Sequence, residues 1–386
     1  MKTVFKTICI TVAMFVTGCE KSPIGGIGGI GNPGKEKVFS AKIFYDNMIK
    51  AMEGKTVGYG FSIAQDGSLF GSHGGGYARL AIDAPETKYD EKTRQGIGSC
   101  SKTITAFAIF KALEAKGLDE TAKIEQFLPT GWVLPAANKN LRFEDIMSHK
   151  AGLWNFGGDW AALKKTVETP NKGTGNYYYD NVNYTLCRLL LAYIVHDRKY
   201  IESSFDPNWL TCAMYLDYVR NEIFKPCGLV RWDKITIGPW AENSTGIDDL
   251  PRNMTRYYNF SQPSLNGVTK YTTLLEAGPG GFYMNPTEVA QIINAGEQYK
   301  IVSKQMMKDM KEKKLGFDGQ VAGARGAYVW KNGDWDDGNP TYRGIYTVIM
   351  CFPNNVQVVF HTNSRQTKIG SDIQKVMAKA YDNAWF

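Results

Sequence analysis

The ten residues G-I-G-S-C-S-K-T-I-T at positions 96–105 decide the fold prediction. They lie between a polar, charged segment and an apolar run, and Ser99 is a good N-cap for a helix that we expect to run to about Lys116. A capping box would place Glu or Gln three residues later, whereas this chain has Lys102, a cation at the positive end of the helix dipole. The lysine is poorly placed for helix stability and needs another explanation.

Nucleophilic chemistry supplies that explanation. A hydroxyl three residues before a lysine, at a helix start, projects both groups to one side. A neutral amine there can take the serine proton, and the helix N-terminus favours developing negative charge. Ser99 is therefore a candidate nucleophile with Lys102 as its base. The alternative is a surface lysine beside a capping serine.

The composition is that of a globular protein with one large or two intimate domains. The chain has 386 residues, 43% of them hydrophobic and 13% aromatic. The formal net charge is +7, but Lys and Arg form no long run, so nucleic-acid binding gets little support. No histidines or cysteines have metal-ligand spacing, and we expect neither a metal nor a cofactor.

The N-terminal segment has the pattern of a targeting signal. Two lysines precede a mostly apolar stretch, residues 7–16, which is too short to span a bilayer. The stretch ends in V-T-G before Cys19, which resembles a bacterial lipoprotein signal, where cleavage precedes an acylated cysteine. We expect a signal peptide over 1–18, an acylated Cys19 with a glycine-rich tether over 19–36, and a globular body over 37–386. An ordinary secretory signal is the alternative.

This arrangement predicts a lipid-anchored protein of the bacterial cell envelope, on the periplasmic side of the outer membrane. Cys9 would leave with the signal and Cys19 would carry lipid. Five cysteines remain in the body, an odd number, so at least one is free or pairs between chains. The pairing stays open for Cys100, Cys187, Cys212, Cys227 and Cys351.

Strand and helix patterns predict an α/β (α+β) fold. Two strands near the start of the body and three near its end imply one antiparallel five-stranded sheet built from both ends of the chain. The sheet lobe would cover about 37–98 and 311–386, with an all-helical lobe over about 99–310 inserted into it. The predicted strands are Val57–Ala64, a return strand from Ser68, Gly326–Lys331, Tyr342–Phe352 and Val356–Thr362.

The S-x-x-K segment resembles the nucleophile segment of the serine β-lactamase and penicillin-binding-protein superfamily, nearest its class C β-lactamase-like hydrolases and esterases. Residues 141–153, 222–229 and 280–282 resemble further segments of that branch, in the same order. The resemblance spans roughly 40–386. It implies a β-lactamase/transpeptidase-like fold and a serine hydrolase that acts through an acyl-enzyme.

The branch also needs a tyrosine in a Y-x-N motif, which occurs four times in this chain. The context of Tyr179 and Asn181 matches the family, whereas Tyr45, Tyr257 and Tyr381 do not. The resemblance implies that Tyr179 passes protons between Ser99 and the leaving group, as a phenolate or as a hydrogen-bond relay. Asn181 would hold the substrate amide or carbonyl. The alternative for Asn181 is a loop-capping amide.

The third family motif is a K-T-G or H-x-G sequence on a strand. Lys331, Asn332 and Gly333 end a predicted strand with two strands still to come, which fits the family order, whereas His361 comes too late. A cation at Lys331 would lower the pKa of Tyr179 and attract a substrate carboxylate. Asn332 replaces the usual threonine.

Asp334 follows the motif, where the family's backbone N–H completes an oxyanion hole with that of Ser99. Its carboxylate would oppose the oxyanion if it points inward. The residues implied as substrate-binding are thus Asn181, Lys331, Asn332, Gly333 and Asp334. His149 could form a triad with Ser99, but a buried, satisfied histidine is the preferred interpretation.

The predicted activity is therefore hydrolysis of an amide or ester. The sequence leaves open whether the substrate is a β-lactam, a D-amino-acid peptide of the cell wall or a carboxylic ester. The alternative is a catalytically weak or inactive envelope protein that binds cell-wall peptides. The charge of Asp334 is the feature that favours this alternative.

Overall fold

The computed structural model describes residues 37–238, 255–370 and 372–386. The predicted signal peptide over 1–18 and the predicted Cys19 and tether over 19–36 lie outside the described residues. The body from Phe39 to Phe386 is one compact unit.

No helix in the described part of the chain is long and apolar enough to cross a membrane.

A large mixed sheet forms the centre of the body. The described strands are β1 (Gly58–Gln65), β2 (Ser68–Arg79), β3 (Thr87–Lys88), β4 (Gln95–Gly96), β5 (Tyr258–Asn259), β6 (Tyr283–Met284), β7 (Gly319–Gly323), β8 (Gly326–Asp336), β9 (Gly344–Phe352), β10 (Val356–Thr362) and β11 (Ser364–Arg365). The strand order of the large sheet is β11-β5-β9-β10-β1-β2-β3, with β8 also paired to β9 and β7 paired to β8. All of these pairings are antiparallel except that of β11 with β5. A separate two-stranded sheet joins β4 to β6.

The predicted fold class is confirmed, with additions. The five predicted strands are β1, β2, β8, β9 and β10, and they form the antiparallel centre of the sheet. Four short strands, β3, β5, β7 and β11, extend it to nine. One predicted end is wrong, because β8 continues past Lys331 to Asp336, and the return strand predicted from Ser68 is β2, which runs to Arg79. The third family motif therefore lies within a strand.

Helices cover both faces of the sheet. α1 and α10 pack on one face, in a core that includes Phe44, Phe360 and Tyr381. The other helices belong to the larger core on the opposite face, around Ile104 and Val359. The helices are α1 (Ala41–Met52), α2 (Ser101–Glu114), α3 (Phe143–Met147), α4 (Trp160–Glu168), α5 (Val182–Val195), α6 (Arg198–Glu202), α7 (Pro207–Tyr218), α8 (Pro286–Glu297), α9 (Lys304–Glu312) and α10 (Ile373–Asp382).

Strand alternation explains how β10 contributes to both cores. Neighbouring side chains of a strand point to opposite faces, so Val359 enters the larger core and Phe360 enters the core beneath α1 and α10. A strand covered on both faces has no solvent-exposed side. All seven residues of β10, including the polar Gln357 and His361, are buried accordingly.

The nucleophile segment differs in detail from the sequence prediction. Ser99 is not the N-cap of α2, because a 3₁₀ turn at Gly98–Cys100 precedes the helix and Cys100 takes the cap position without a side-chain hydrogen bond. Twelve of the fourteen residues of α2 are buried. Since packing on all sides holds this helix, it needs no capping hydroxyl, and the Ser99 side chain is available for other partners.

The turn that carries Ser99 lies directly against β8. A Cβ atom placed on Gly333 would come within 2.1 Å of the Ile97 carbonyl oxygen and 2.8 Å of the Ser99 backbone nitrogen. On the other side of this contact, Gly98 has φ +52° and its own Cβ would lie 2.9 Å from the Asp334 nitrogen. The close approach of turn and strand therefore requires glycine on both sides.

All five cysteines of the body are free among the described residues: Cys100, Cys187, Cys212, Cys227 and Cys351.

We expect Gly333→Ala to destabilise the protein by about 1–3 kcal/mol, the usual cost of overpacking, because its methyl group meets backbone atoms that cannot move aside. The control is Gly319→Ala, whose Cβ would meet nothing closer than 3.7 Å. Urea unfolding monitored by circular dichroism measures both variants. Equal midpoints for Gly333→Ala and the wild type would show that the turn and the strand are not in this contact.

Candidate active site

Ser99, Lys102 and Tyr179 meet in one hydrogen-bonded group. The Ser99 Oγ lies 2.9 Å from the Lys102 Nζ and 2.6 Å from the Tyr179 hydroxyl oxygen. The serine and the lysine come from adjacent turns at the start of α2, and the tyrosine comes from the loop before α5. The structure thus brings together the three predicted catalytic residues.

The environment of Lys102 favours a neutral amine. Its side chain is 1% exposed, and Nζ lies 2.8 Å from the Asn181 Oδ1 and 2.8 Å from the Pro279 carbonyl oxygen. Burial, and then the positive charge of Lys331, hold the pKa of Lys102 well below its ordinary value of 10.5. No carboxylate is bonded to the amine in the described part of the chain.

The hydrogen bonds of a neutral amine fit this site. Such an amine has two N–H donors and one lone pair. The two acceptors without a proton, the Asn181 amide oxygen and the Pro279 carbonyl, take the two donors. The lone pair is then left for the Ser99 hydroxyl. Lys102 is therefore positioned to accept the serine proton.

The surroundings of Tyr179 favour a neutral phenol. Burial raises the pKa of Tyr179, the hydrogen bond to Ser99 lowers it, and the charge of Asp318 raises it. Of the two expected roles, phenolate and hydrogen-bond relay, the raised pKa favours the relay. The Tyr179 hydroxyl is hydrogen-bonded to Ser99, and 46% of the residue as a whole is exposed.

His149 supports Tyr179 instead of forming a triad with Ser99. Its ring lies 4.4 Å from the Tyr179 ring, centroid to centroid. Its Nδ1 accepts the Asp180 backbone N–H at 3.3 Å and lies 3.1 Å from the Asn183 amide nitrogen. Burial lowers the pKa of His149 to about 3. The histidine is a buried, neutral packing group, as the sequence favoured.

The other Y-x-N tyrosines have separate structural contacts. Tyr45 donates from α1 to the Ser72 carbonyl, and Tyr381 donates from α10 to the Pro353 carbonyl. The hydroxyl of Tyr257 accepts the Gly96 N–H at 3.0 Å. None of the three is hydrogen-bonded to Ser99, so Tyr179 is the copy that the structure places at the nucleophile.

Asn181 lies where the motif predicts. Its side-chain oxygen accepts a hydrogen bond from the Lys102 Nζ, and the residue also lines a cavity beside Ser99. It occupies the first position before α5 but makes no capping hydrogen bond with its side chain. The capping alternative is therefore wrong, and the amide is available to the site.

Lys331 has a partner that the sequence did not indicate. Its Nζ lies 2.6 Å from the Asp318 Oδ1, and the two side chains are 2% and 14% exposed. The second carboxylate oxygen of Asp318 accepts the Asn332 N–H at 3.1 Å. Asp318 directly precedes β7, a strand that the sequence did not predict, so no pattern placed this carboxylate beside the motif. Lys331 is close to Tyr179, 5.9 Å from Nζ to the ring centroid, but its charge is neutralised.

The side chains of Asn332 and Asp334 do not face Ser99. Asn332 donates to the Tyr346 hydroxyl at 3.1 Å, on the sheet face covered by α10. Two residues on, Asp334 lies on the same face, is paired with Arg365 at 3.3 Å and is 51% exposed. Side chains alternate along a strand, so Lys331 and Gly333 take the nucleophile face and these two take the other. The Asp334 carboxylate is therefore directed to Arg365 and away from the Ser99 hydroxyl.

The backbone of Asp334 does face the site. Backbone N–H groups two residues apart leave a strand on the same edge. Because the Asn332 N–H leaves β8 toward Asp318, the Asp334 N–H leaves on the same edge, where its nitrogen lies beside Gly98 and Ser99. The Ser99 and Asp334 nitrogens thus both lie where the turn of Ser99 meets β8.

A cavity of about 310 Å³ opens beside Ser99. Its wall includes Asn155, Thr185, Trp335 and residues 279–281. Arg188 supports this wall from behind, because its guanidinium donates to the Gly158 carbonyl at 2.7 Å and to the Leu274 and Leu275 carbonyls at 3.3 Å. The cavity is large enough for a small acyl group.

His361 lies outside the site. His361 is wholly buried on β10, opposite Gly60, and burial lowers its pKa to about 3. Over the described residues, no group of three or more His, Cys, Asp or Glu is arranged to hold a metal ion.

Comparison with known proteins shows which proteins this chain resembles. The teichoic acid D-alanine hydrolase of Staphylococcus aureus is 24% identical over 295 residues, which cover 70% of this chain and 64% of that protein. The match thus spans less than two thirds of the relative's length. A D-amino acid amidase from Ochrobactrum anthropi SV3, solved with D-phenylalanine, has a TM-score of 0.63 at 15% identity over 89% of this chain and 97% of that one.

A β-lactamase/D-alanine carboxypeptidase from Pseudomonas syringae likewise has a TM-score of 0.63, at 14% identity, over 88% of this chain and 97% of that one. At these identities the two structures show a shared fold. The β-lactamase family profile matches residues 44–380, most of the body. The resemblance predicted from the S-x-x-K segment is confirmed, and the chain belongs to the β-lactamase family.

Proposed function

We propose that this protein is a serine hydrolase that cleaves an amide or ester through an acyl-enzyme. The observation that carries the proposal is the Ser99 hydroxyl, bonded both to a buried amine with a lowered pKa and to the Tyr179 phenol. This arrangement suits proton removal from the serine. Family membership and the hydrolase names of the relatives support the same chemistry.

In the first step, Ser99 passes its proton to Lys102 as its Oγ bonds to the substrate carbonyl carbon. The carbonyl oxygen becomes an oxyanion, which the N–H groups of Ser99 and Asp334 stabilise. The bond to the leaving oxygen or nitrogen then breaks, and Tyr179 donates a proton to that atom. The Lys102 ammonium then gives a proton back to the Tyr179 oxygen, so that Lys102 and Tyr179 are both neutral again.

In the second step, water attacks the acyl-enzyme. Lys102, neutral once more, accepts a proton from the water as its oxygen bonds to the acyl carbon. The bond between the acyl carbon and the Ser99 oxygen breaks, and that oxygen takes the proton back from the Lys102 ammonium, which becomes a neutral amine again. The products are a carboxylic acid and the resting enzyme. Asn181 is placed to orient the substrate, since its amide lies between Lys102 and the cavity.

The rival proposal of a weak, binding-only protein loses its support. It rested on the charge of Asp334, and that carboxylate lies on the other face of the sheet, paired with Arg365. Ser99 is also hydrogen-bonded to both Tyr179 and Lys102, as a working nucleophile requires. A functional hydrolase is the better account.

We also propose that the protein acts in the cell envelope, anchored by lipid on Cys19. The resemblance of residues 1–19 to a lipoprotein signal supports the anchor. The staphylococcal relative is named for teichoic acid, an envelope polymer, which supports the compartment.

Ser99→Ala should abolish covalent labelling by a fluorophosphonate, because the reagent forms its bond with the serine oxygen. Ser101→Ala is the matched control. Ser101 lies in the same motif, but its hydroxyl oxygen accepts a hydrogen bond from the Phe282 N–H at 3.4 Å. Intact-mass spectrometry measures the adduct. A full adduct on Ser99→Ala would remove Ser99 from the mechanism.

Tyr179→Phe should slow the same labelling by about 10²–10⁴-fold, the usual contribution of an acid–base group. Tyr178→Phe is the control, because Tyr178 is a neighbouring, exposed tyrosine with no hydrogen bond to Ser99 among those described. Unchanged rates for Tyr179→Phe would mean that the phenol passes no proton.

The wild type isolated from bacterial membranes should begin at Cys19 and carry the mass of a lipid. Cys19→Ser should leave the membrane fraction and keep its labelling by the fluorophosphonate. A wild-type mature chain without lipid would contradict the anchor and leave the hydrolase proposal standing.

A further inference from the structure

The ion pair between Lys331 and Asp318 lies beside the group that protonates the leaving atom. The Lys331 Nζ is 5.9 Å from the centroid of the Tyr179 ring. Under the proposed function, Tyr179 donates to the leaving oxygen or nitrogen, so the leaving group lies next to this pair. Neither Lys331 nor Asp318 is among the described residues that line the 310 Å³ cavity beside Ser99.

Asp318 is held firmly in its position. One carboxylate oxygen accepts from the Lys331 Nζ at 2.6 Å, and the other accepts the Asn332 N–H at 3.1 Å. Its own N–H donates to the Trp330 carbonyl at 2.9 Å, at the end of the β7–β8 pairing. With three bonds to β8, the carboxylate is not free to swing away when a ligand arrives.

The pair is also poorly hydrated, with side chains 2% and 14% exposed. A carboxylate that approached Lys331 would have to displace Asp318 or share the ammonium with it. The first loses a short buried ion pair, and the second places two negative charges side by side. Both are unfavourable compared with a neutral group at the same place.

Lys270 and Arg365 do not take over this role. Lys270 lines the cavity beside Ser99, 5.7 Å from the centroid of the Trp335 ring, and Glu276 lines the same cavity. Arg365 lies on the opposite face of the sheet with Asp334 and Asp336. The ammonium of Lys331 next to Tyr179 therefore already has a carboxylate as its partner.

We propose that Asp318 is a specificity-determining residue that restricts the enzyme to esters and amides whose leaving group carries no carboxylate. This rests on the proposed hydrolase function and narrows it. A β-lactam and a peptide with a free C-terminus both carry a carboxylate on the leaving-group side of the bond that breaks. An ester of a neutral alcohol does not.

The test uses two chromogenic acetates with the same acyl group, the esters of 4-nitrophenol and of 5-hydroxy-2-nitrobenzoate, which differ by one carboxylate on the leaving group. Each kcat/KM is divided by the rate of hydroxide-catalysed hydrolysis of the same ester, which removes intrinsic reactivity. We expect the wild type to prefer the neutral ester by at least about tenfold, equivalent to about 1.4 kcal/mol.

Asp318→Asn should reduce this preference by about tenfold, because the charge of Lys331 becomes available to the leaving group. Asp318→Glu keeps a carboxylate and should retain the preference. Asp46→Asn removes an exposed charge from α1, where Asp46 pairs with Lys42, and controls for net charge. A purely structural role for Asp318 would lower both rates together and leave their ratio unchanged.

Fluorophosphonate labelling separates the two proposals. A wild type that labels but hydrolyses the carboxylated ester as well as the neutral one overturns the assignment of Asp318, as does an Asp318→Asn variant that labels with an unchanged ratio. A wild type that does not label overturns the hydrolase itself. If Asp318→Asn fails to fold, the preference of the wild type and of Asp318→Glu for the neutral ester over the carboxylated one still tests the proposal.

Discussion

The buried amine of Lys102 is the constraint on which the site depends. An ammonium ion removed from water is stable only with compensating charge, and the partners of this amine are two neutral carbonyl-type oxygens and a hydroxyl. Neutrality is therefore the state that the surroundings favour, and it leaves a lone pair aimed at Ser99. The cost of burying a lysine is offset by α2, which is buried along nearly its whole length and fixes the lysine backbone.

The same constraint organises the elements around α2. The carbonyl of Pro279 must reach the amine, and the neighbouring carbonyl of Gly278 is held on the helix by the Thr105 hydroxyl at 2.7 Å. β8 must approach the turn of Ser99 closely enough to present a backbone N–H, which is possible only without a side chain at Gly333. Backbone groups thus supply much of the site, and side chains supply the proton transfers.

The sequence predicts those parts of the site that follow from local motifs. Ser99 and Lys102 are one helical turn apart, and Tyr179 and Asn181 are two residues apart, so their relation depends little on the rest of the fold. The role of Asp318 depends on β7, a short strand without a clear pattern, and it could not be predicted. The orientation of Asp334 depends on where β8 ends. The sequence predicts a strand that ends at Lys331, and the side-chain alternation that turns Asp334 away follows only from a strand that continues to Asp336.

The order of the strands has a consequence for biosynthesis. β1 pairs with β10, so that Tyr59 lies opposite Thr362. The centre of the sheet therefore cannot form until almost the whole chain has been synthesised. Contacts between distant residues form slowly, and unpaired strand edges associate readily with other chains. The hairpin of β1 and β2 must therefore wait through the synthesis of the entire helical region with one edge exposed. During that interval a nascent chain would depend on molecular chaperones to stay unaggregated.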